Sequence, residues 1–154
     1  MYYLEVALEY IRVRKTDLAR NTSRIIRNVL RGQPAVIESH GQPEVAIVDV
    51  ADYLILRAVA RYHYNPPPIH PNGLTDDEAN QLADTQERYN VIMAHYLAGA
   101  ISTGRTAELL SLPWIDLRER FRRLDVPIRL GSNSVEEASQ ELNSLLKHST
   151  PGQD

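Results

Sequence analysis

The chain of 154 residues contains no cysteine, so neither a disulfide framework nor thiol chemistry is available to it. It has no run of the roughly 18 apolar residues that a membrane-spanning helix needs. Its N-terminus lacks a basic region followed by a long apolar core, and so does not predict a secretory signal. These absences favour a cytoplasmic protein.

Motifs for catalysis and metal binding are missing as well. The sequence has no glycine-rich phosphate loop and no nucleophile motif. The adjacent acids Asp76 and Asp77 fit the first turn of a helix better than an acid–base pair. Neither HxH nor HxxxH spacing occurs among the five histidines, which are His40, His63, His70, His95 and His148. We therefore expect a protein that is not an enzyme and that has no metal and no cofactor.

Charge is segregated along a chain whose net charge is only −3. Between Arg12 and Arg31 there are seven basic residues and a single acid, Asp17. Between Arg105 and Arg129 there are six basic and four acidic residues, so that stretch is only weakly basic. A concentrated basic segment in an acidic chain predicts an anionic partner.

The basic segment predicts a strand followed by an amphipathic helix. Residues 10–14 alternate in type, which is typical of a strand with Arg12 and Arg14 on one face. Helical spacing extends from Thr16, a good N-cap residue, to Gly32, a good helix terminator. The expected buried face consists of Leu18, Thr22, Ile25, Ile26 and Val29. The opposite stripe consists of Arg20, Arg24, Arg27 and Arg31.

A hairpin and a second helix are predicted next. Two β-rich runs, residues 35–39 and 44–48, flank the turn-forming sequence His40-Gly41-Gln42-Pro43. A helix starting between Asp49 and Ala51 should then reach about Tyr62. It is apolar on most sides, so we expect it to pack against two surfaces.

This succession resembles the Phd/YefM family of bacterial antitoxins over about residues 10–64. Four short motifs carry the resemblance in the family's order: Leu18-Ala19-Arg20-Asn21, Gly32-Gln33-Pro34, His40-Gly41-Gln42-Pro43 and Asp52-Tyr53. The resemblance implies an α+β domain, with a small antiparallel sheet and helices, that forms a homodimer. It also implies an antitoxin that blocks a toxin by direct binding and represses its own operon at operator DNA.

The basic face of this first domain is the main candidate site. Guanidinium groups clamp phosphates and read guanine in the major groove, and an Asn amide can read adenine. The expected DNA-binding residues are Arg12, Arg14, Lys15, Arg20, Asn21 and Arg24. The alternative is a solvated face that only keeps the protein soluble, although such faces usually mix both signs of charge.

Four prolines within residues 65–73 predict a stiff connector between two domains. The expected division is a DNA-binding and dimerisation domain at residues 1–64, the linker at 65–73, an all-α domain at 74–148 and a frayed tail at 149–154. In the all-α domain, a capping box at residues 75–78 predicts a helix to about Leu97. Further helices are expected after Ser102, from about Trp114 to Leu124, and from Ser134 to about Lys147.

Residues 97–145 resemble a small uncharacterised helical family that is often encoded beside PIN-domain nuclease toxins. The resemblance is carried by residues 100–110, by Val126-Pro127-Ile128 and by the acidic segment that starts at Glu136. It implies that the second domain binds the toxin and that the toxin is a PIN-domain ribonuclease.

The second domain offers two further candidate surfaces. The short helices between Ser102 and Leu124 fit a helix-turn-helix, whose secondary DNA-binding candidates are Arg105, Arg118 and Arg122. A helical scaffold with exposed arginines is the alternative, because acids are interleaved with them. An amphipathic last helix fits a groove on a toxin, with the candidates Val135, Glu136, Leu142, Leu145 and Leu146. The alternative, which the sequence favours equally, is that this apolar stripe caps its own domain.

The sequence thus predicts an antitoxin of a type II toxin–antitoxin pair. Two alternatives stay open: a free-standing dimeric transcription regulator without a toxin, and an interaction scaffold that does not bind DNA. A small toxin gene next to this one favours the antitoxin over the regulator. Nucleic-acid binding that does not depend on salt favours the scaffold.

Overall fold

The computed structural model describes residues 10–129 together with Asn143 and Leu146. The chain divides into two compact units, Met1–Leu54 and Ile55–Asp154. This division falls inside the helix Val50–Tyr64, whereas the sequence predicts a boundary at residues 65–73. The predicted domain limits therefore stay a prediction. Residues 65–75 themselves contain no helix or strand, as expected for a proline-rich stretch.

The first unit contains a three-stranded sheet formed by β1 (Ile11–Arg14), β2 (Ala35–Ser39) and β3 (Gln42–Ile47), in that order. The expectation of an antiparallel sheet is wrong for one of its two strand pairs, because β1 and β2 run parallel. The helix α1 (Lys15–Leu30) connects them as a crossover and returns the chain to the start of β2. Only β2 and β3, which form the predicted hairpin, are antiparallel. The class is α+β, with a mixed sheet.

Helix α1 follows β1 without a loop. It begins at Lys15, and its N-cap residue is Arg14, so the prediction of Thr16 as the N-cap is wrong. The strand already supplies the extended backbone that an N-cap residue needs, which leaves no room for a separate cap. Asn21 departs from helical geometry (φ −117°, ψ 15°) and marks a kink. Gly32 ends the helix as predicted, at a positive φ of 101°.

The core of the first unit lies between α1 and the sheet. Ile25 and Val29 pack with Ala35 and Ile37 of β2, and partly buried side chains surround them: Ile11, Val13, Leu18 and Ile47. The expected buried face of α1 is therefore narrower than predicted. Thr22 is exposed and Ile26 keeps 47% of its surface. One helix against three short strands buries only a narrow stripe of its surface.

The hairpin and the following helix are confirmed, but the turn is shorter than predicted, because β3 begins at Gln42 and residues 42 and 43 belong to the strand. His40 and Gly41 both have positive φ (52° and 76°), which is the backbone of a two-residue type I′ turn. Helix α2 (Val50–Tyr64) starts after Asp49, whose carboxylate accepts hydrogen bonds from the N–H groups of Ala51 (2.8 Å) and Asp52 (3.4 Å).

The second unit is helical over the part of the chain that the structure describes. After the end of α2 it contains α3 (Asp76–Asn80), α4 (Thr85–Ala98), α5 (Thr103–Leu110) and α6 (Trp114–Arg123). The single helix predicted from 75 to about 97 is wrong, because it divides into α3 and α4. Asp84 caps the start of α4, since its carboxylate accepts a hydrogen bond from the N–H of Glu87 at 2.8 Å.

The interior of the second unit is built on α4 and α6. At most 1% of each side chain is exposed for Ile92, Met93 and Tyr96 of α4 and for Leu117 and Phe121 of α6. The ring centroids of Tyr96 and Phe121 lie 5.0 Å apart, which joins the two helices. His95 is also fully buried and uses both ring nitrogens, Nδ1 with the carbonyl of Val91 (2.7 Å) and Nε2 with the N–H of His70 (3.0 Å). Both ring nitrogens therefore have hydrogen-bond partners, and His95 is a core residue that links residue 70 to α4. None of the helices in the described residues has the length and apolarity to cross a membrane.

Candidate nucleic-acid interface

A cleft of about 360 Å³ lies in the first unit between β1 and α1. It gathers four of the six expected DNA-binding residues, namely Arg12, Arg14, Asn21 and Arg24. The remaining lining residues are Ile11, Val13, Asp17, Ile25 and Asn28. Lys15 and Arg20 do not line the cleft, although both are exposed.

The order of the elements explains why these residues meet. Because β1 runs directly into α1, the four residues of the strand lie beside the helix. Asp17, Asn21, Arg24 and Asn28 follow one another at intervals of four, three and four residues, so they share one helix face. The cleft is the seam between that face and β1. Only Arg24 of the predicted arginine stripe lines the cleft. The other three arginines of the stripe, Arg20, Arg27 and Arg31, lie outside the cleft.

Carboxylates hold three of the candidate cations. Arg12 Nε pairs with Glu38 at 2.6 Å, and Arg14 Nε pairs with Asp17 at 2.9 Å. Lys15 Nζ lies 3.5 Å from a Glu44 oxygen. The side chains of the three cations remain 58–80% exposed, so each pair contributes only about 0 to 1 kcal/mol. These pairs orient the cations and can be exchanged for a phosphate at little cost.

Arg20 and Arg24 are different, because no acid within the described residues pairs with them. Both side chains are exposed. Asn21 is half-buried, and its Nδ2 donates to the carbonyl of Asp17 at 3.3 Å, one turn earlier. The amide thereby stays at the kink of α1, in the cleft that Arg24 also lines. Its oxygen and second N–H can still meet a ligand.

Of the secondary candidates, Arg105 has a structural role in the second unit. Its Nη2 donates to the carbonyl of Leu74 at 3.0 Å, and its Nη1 contacts Glu108 (2.9 Å) and Asp76 (3.0 Å). The hydrogen bond with Glu108 raises the pKa of Arg105; desolvation opposes this and the charge of Asp76 adds to it. Its side chain is 29% exposed and joins α5 to the start of α3.

Replacing Arg105 by alanine should therefore lower stability and leave DNA binding unchanged. The loss should be about 1 kcal/mol, because a charge-assisted bond to a carbonyl disappears at a partly exposed site. Urea unfolding and a mobility shift on the same preparation measure both quantities. Arg57→Ala, at an exposed position on α2, is the matched control. A loss of DNA affinity with unchanged stability would return Arg105 to the DNA-binding set.

The other two secondary candidates lie on α6. The guanidinium carbon of Arg118 sits 5.4 Å from the centroid of the Trp114 ring, a cation–π contact. Arg122 Nη2 pairs with Glu119 at 2.8 Å, and Arg120 pairs with Asp116 at 2.9 Å. Helix α6 thus pairs two of its four arginines with its two acids and keeps a net charge of +2. Helices α5 and α6 are joined by only three residues, as a helix-turn-helix requires.

Most of the toxin-binding candidates, Val135, Glu136, Leu142 and Leu145, lie outside the described residues. Leu146 is described, is helical and is 60% exposed. Its neighbour Asn143 is also helical and exposed.

Sequence reasoning missed an exposed apolar set in the first unit. Its large side chains are 47–70% exposed: Ile26, Leu30, Val45, Val50 and Tyr53. Strand β3 is exposed at five of its six positions, although it contains Val45 and Ala46. The β-rich run predicted the strand but did not show that most of its positions are exposed. Asn28 of the cleft was also missed, although it lies one turn beyond Arg24.

No family model, curated protein or solved structure matches this chain. Within the described residues, no group of three or more His, Asp or Glu side chains is placed to hold a metal ion.

Proposed function

We propose that this chain is the antitoxin of a type II toxin–antitoxin pair, with a Phd/YefM-like first unit that binds operator DNA. The observation that carries the proposal is the cleft, because it brings Arg12, Arg14, Asn21 and Arg24 together at one exposed place. Convergent arginines with an adjacent amide suit phosphate oxygens and base edges. The four motifs of the sequence resemblance supply the link to antitoxins.

Operator binding by a repressor of this kind requires two copies. The exposed apolar side chains of the first unit support a homodimer, since a monomer gains nothing from leaving Leu30, Val45 and Val50 in water. Two copies related by a two-fold axis present two basic clefts, and the operator should then be palindromic.

Leu30→Glu should convert the dimer into a monomer. Leu30 is 65% exposed, and a carboxylate at an apolar interface raises the dissociation constant at least about 100-fold. Size-exclusion chromatography with light scattering measures the change. Gln33→Glu adds the same charge at a nearby exposed position and should remain dimeric. A monomeric wild-type chain would contradict the dimer.

We assign toxin neutralisation to the C-terminal segment, through the apolar stripe that the sequence predicts there and that includes Leu146, which is 60% exposed. Leu146→Glu should weaken binding of the toxin encoded by the neighbouring gene about tenfold or more, because it replaces apolar contact with a charge. Asn143→Glu, at an exposed position three residues away, is the control. Calorimetry with the purified toxin and growth rescue on co-expression report the effect.

Equal weakening by both substitutions would show that charge, not apolar contact, is responsible. Operator binding in a genome without an adjacent toxin gene would favour a free-standing regulator.

A further inference from the structure

We propose that the cleft between β1 and α1 also binds a small phosphorylated ligand of mononucleotide size. Its volume of about 360 Å³ lies in the range of small-molecule sites, about 300–1,000 Å³. All of its lining residues come from the segment 11–28, so a single copy of the first unit forms it.

The charge of the lining selects an anion. Three arginines, Arg12, Arg14 and Arg24, line the cleft together with a single acid, Asp17. Glu38 and Asp17 each accept from an Nε atom, which leaves the Nη edges of Arg12 and Arg14 for another acceptor. Each Nη edge can meet a phosphate with two parallel hydrogen bonds. Arg24 contributes a third cation, which no acid of the described residues engages.

The rest of the lining indicates what the phosphate carries. Ile11 and Val13 are only partly buried, so they give the cleft an apolar surface beside its charged residues, whereas Ile25 belongs to the core. The amides of Asn21 and Asn28 stand on the same helix face and offer both donors and acceptors. A planar base on the apolar surface, with its edge toward these amides, matches this distribution. Inorganic phosphate would use the charged residues alone.

A duplex and a free nucleotide would use overlapping but different residues. Arg20 is exposed outside the cleft, so it can serve DNA alone. Asn28 lines the cleft and is half-buried, so it can serve the small ligand alone. Arg24 is shared. If the proposed operator binding holds, nucleotide and operator compete for Arg24, and the nucleotide acts as an inducer.

The test is calorimetric titration of the full chain with the four common nucleoside 5′-monophosphates, with the parent nucleosides and with inorganic phosphate. We expect at least one monophosphate to bind about tenfold or more tightly than its nucleoside and than phosphate alone. Arg24→Ala and Asn28→Ala should each weaken it about tenfold, and Arg20→Ala should leave it within about twofold.

The outcomes separate this inference from the proposed function. Absence of monophosphate binding up to about 1 mM overturns the inference and leaves operator binding untouched. Monophosphate binding that survives Arg24→Ala and Asn28→Ala also overturns it, because the ligand then lies elsewhere. Monophosphate binding with the expected variant pattern, in a chain that does not bind its promoter, supports the inference and contradicts the proposed function. Circular dichroism of both variants verifies that they are folded.

Discussion

Alanine at Arg12, Arg14, Arg20 and Arg24 together should lower operator affinity about 1,000-fold. Each arginine that contacts a phosphate contributes a charge-assisted hydrogen bond, and the removal of several such bonds costs at least about 4 kcal/mol. The salt dependence should also become shallower, by about 0.9 in the logarithmic slope for each phosphate that the variant no longer neutralises. Fluorescence anisotropy with labelled promoter DNA measures both quantities.

The matched control removes four other exposed arginines, Arg57, Arg61, Arg118 and Arg122. It changes the net charge by the same amount, so it accounts for the general attraction between protein and DNA. The control should lose much less affinity than the cleft variant. If instead the control loses more, DNA binding belongs to the second unit, and the helix-turn-helix of α5 and α6 becomes the operator reader.

Phe121→Ala should have the largest effect on stability, a loss of about 3–5 kcal/mol. The Phe121 side chain is fully buried, and its ring centroid lies 5.0 Å from that of Tyr96 on α4. Truncation leaves a cavity where α6 meets the rest of the second unit. Urea unfolding followed by the fluorescence of Trp114, the only tryptophan in the chain, reports directly on α6.

Ile115→Ala on the same helix is the control, because Ile115 is 57% exposed. It should change the free energy of unfolding by no more than about 0.5 kcal/mol. A loss below about 1 kcal/mol for Phe121→Ala would mean that α6 does not pack through this side chain.

For this chain, the sequence predicts individual helices and strands better than it predicts which of them lie side by side. Alternation identified β1, two β-rich runs around turn-forming residues identified the hairpin, and Gly32 marked the end of α1, because these signals are local. The parallel pairing of β1 with β2 has no local signal, since alternation does not reveal which strand lies alongside. The division of α3 from α4 did have a local signal, because Asp84 lies three residues before Glu87, the spacing of an N-cap. The helical pattern that continues on both sides obscured this signal.

The candidate site was also predicted only in part, because local patterns show which residues share a face but not which faces lie together. Helical spacing placed Arg20 and Arg24 in one stripe, and strand alternation placed Arg12 and Arg14 on one face. The way β1 lies against α1 then selected Arg24 and left Arg20 outside the cleft. The ion pair of Arg12 with Glu38 joins residues that are 26 positions apart, so no local pattern predicts it.

We propose above all that the first unit binds the operator of its own operon specifically. The most direct test is the affinity of the full chain for its promoter and for a scrambled duplex of equal length, between about 50 and about 200 mM salt. We predict tighter binding to the promoter by a factor of about 1,000 or more, with a steep loss as salt rises. Equal affinity for both duplexes, or affinity that does not change with salt, would contradict the claim.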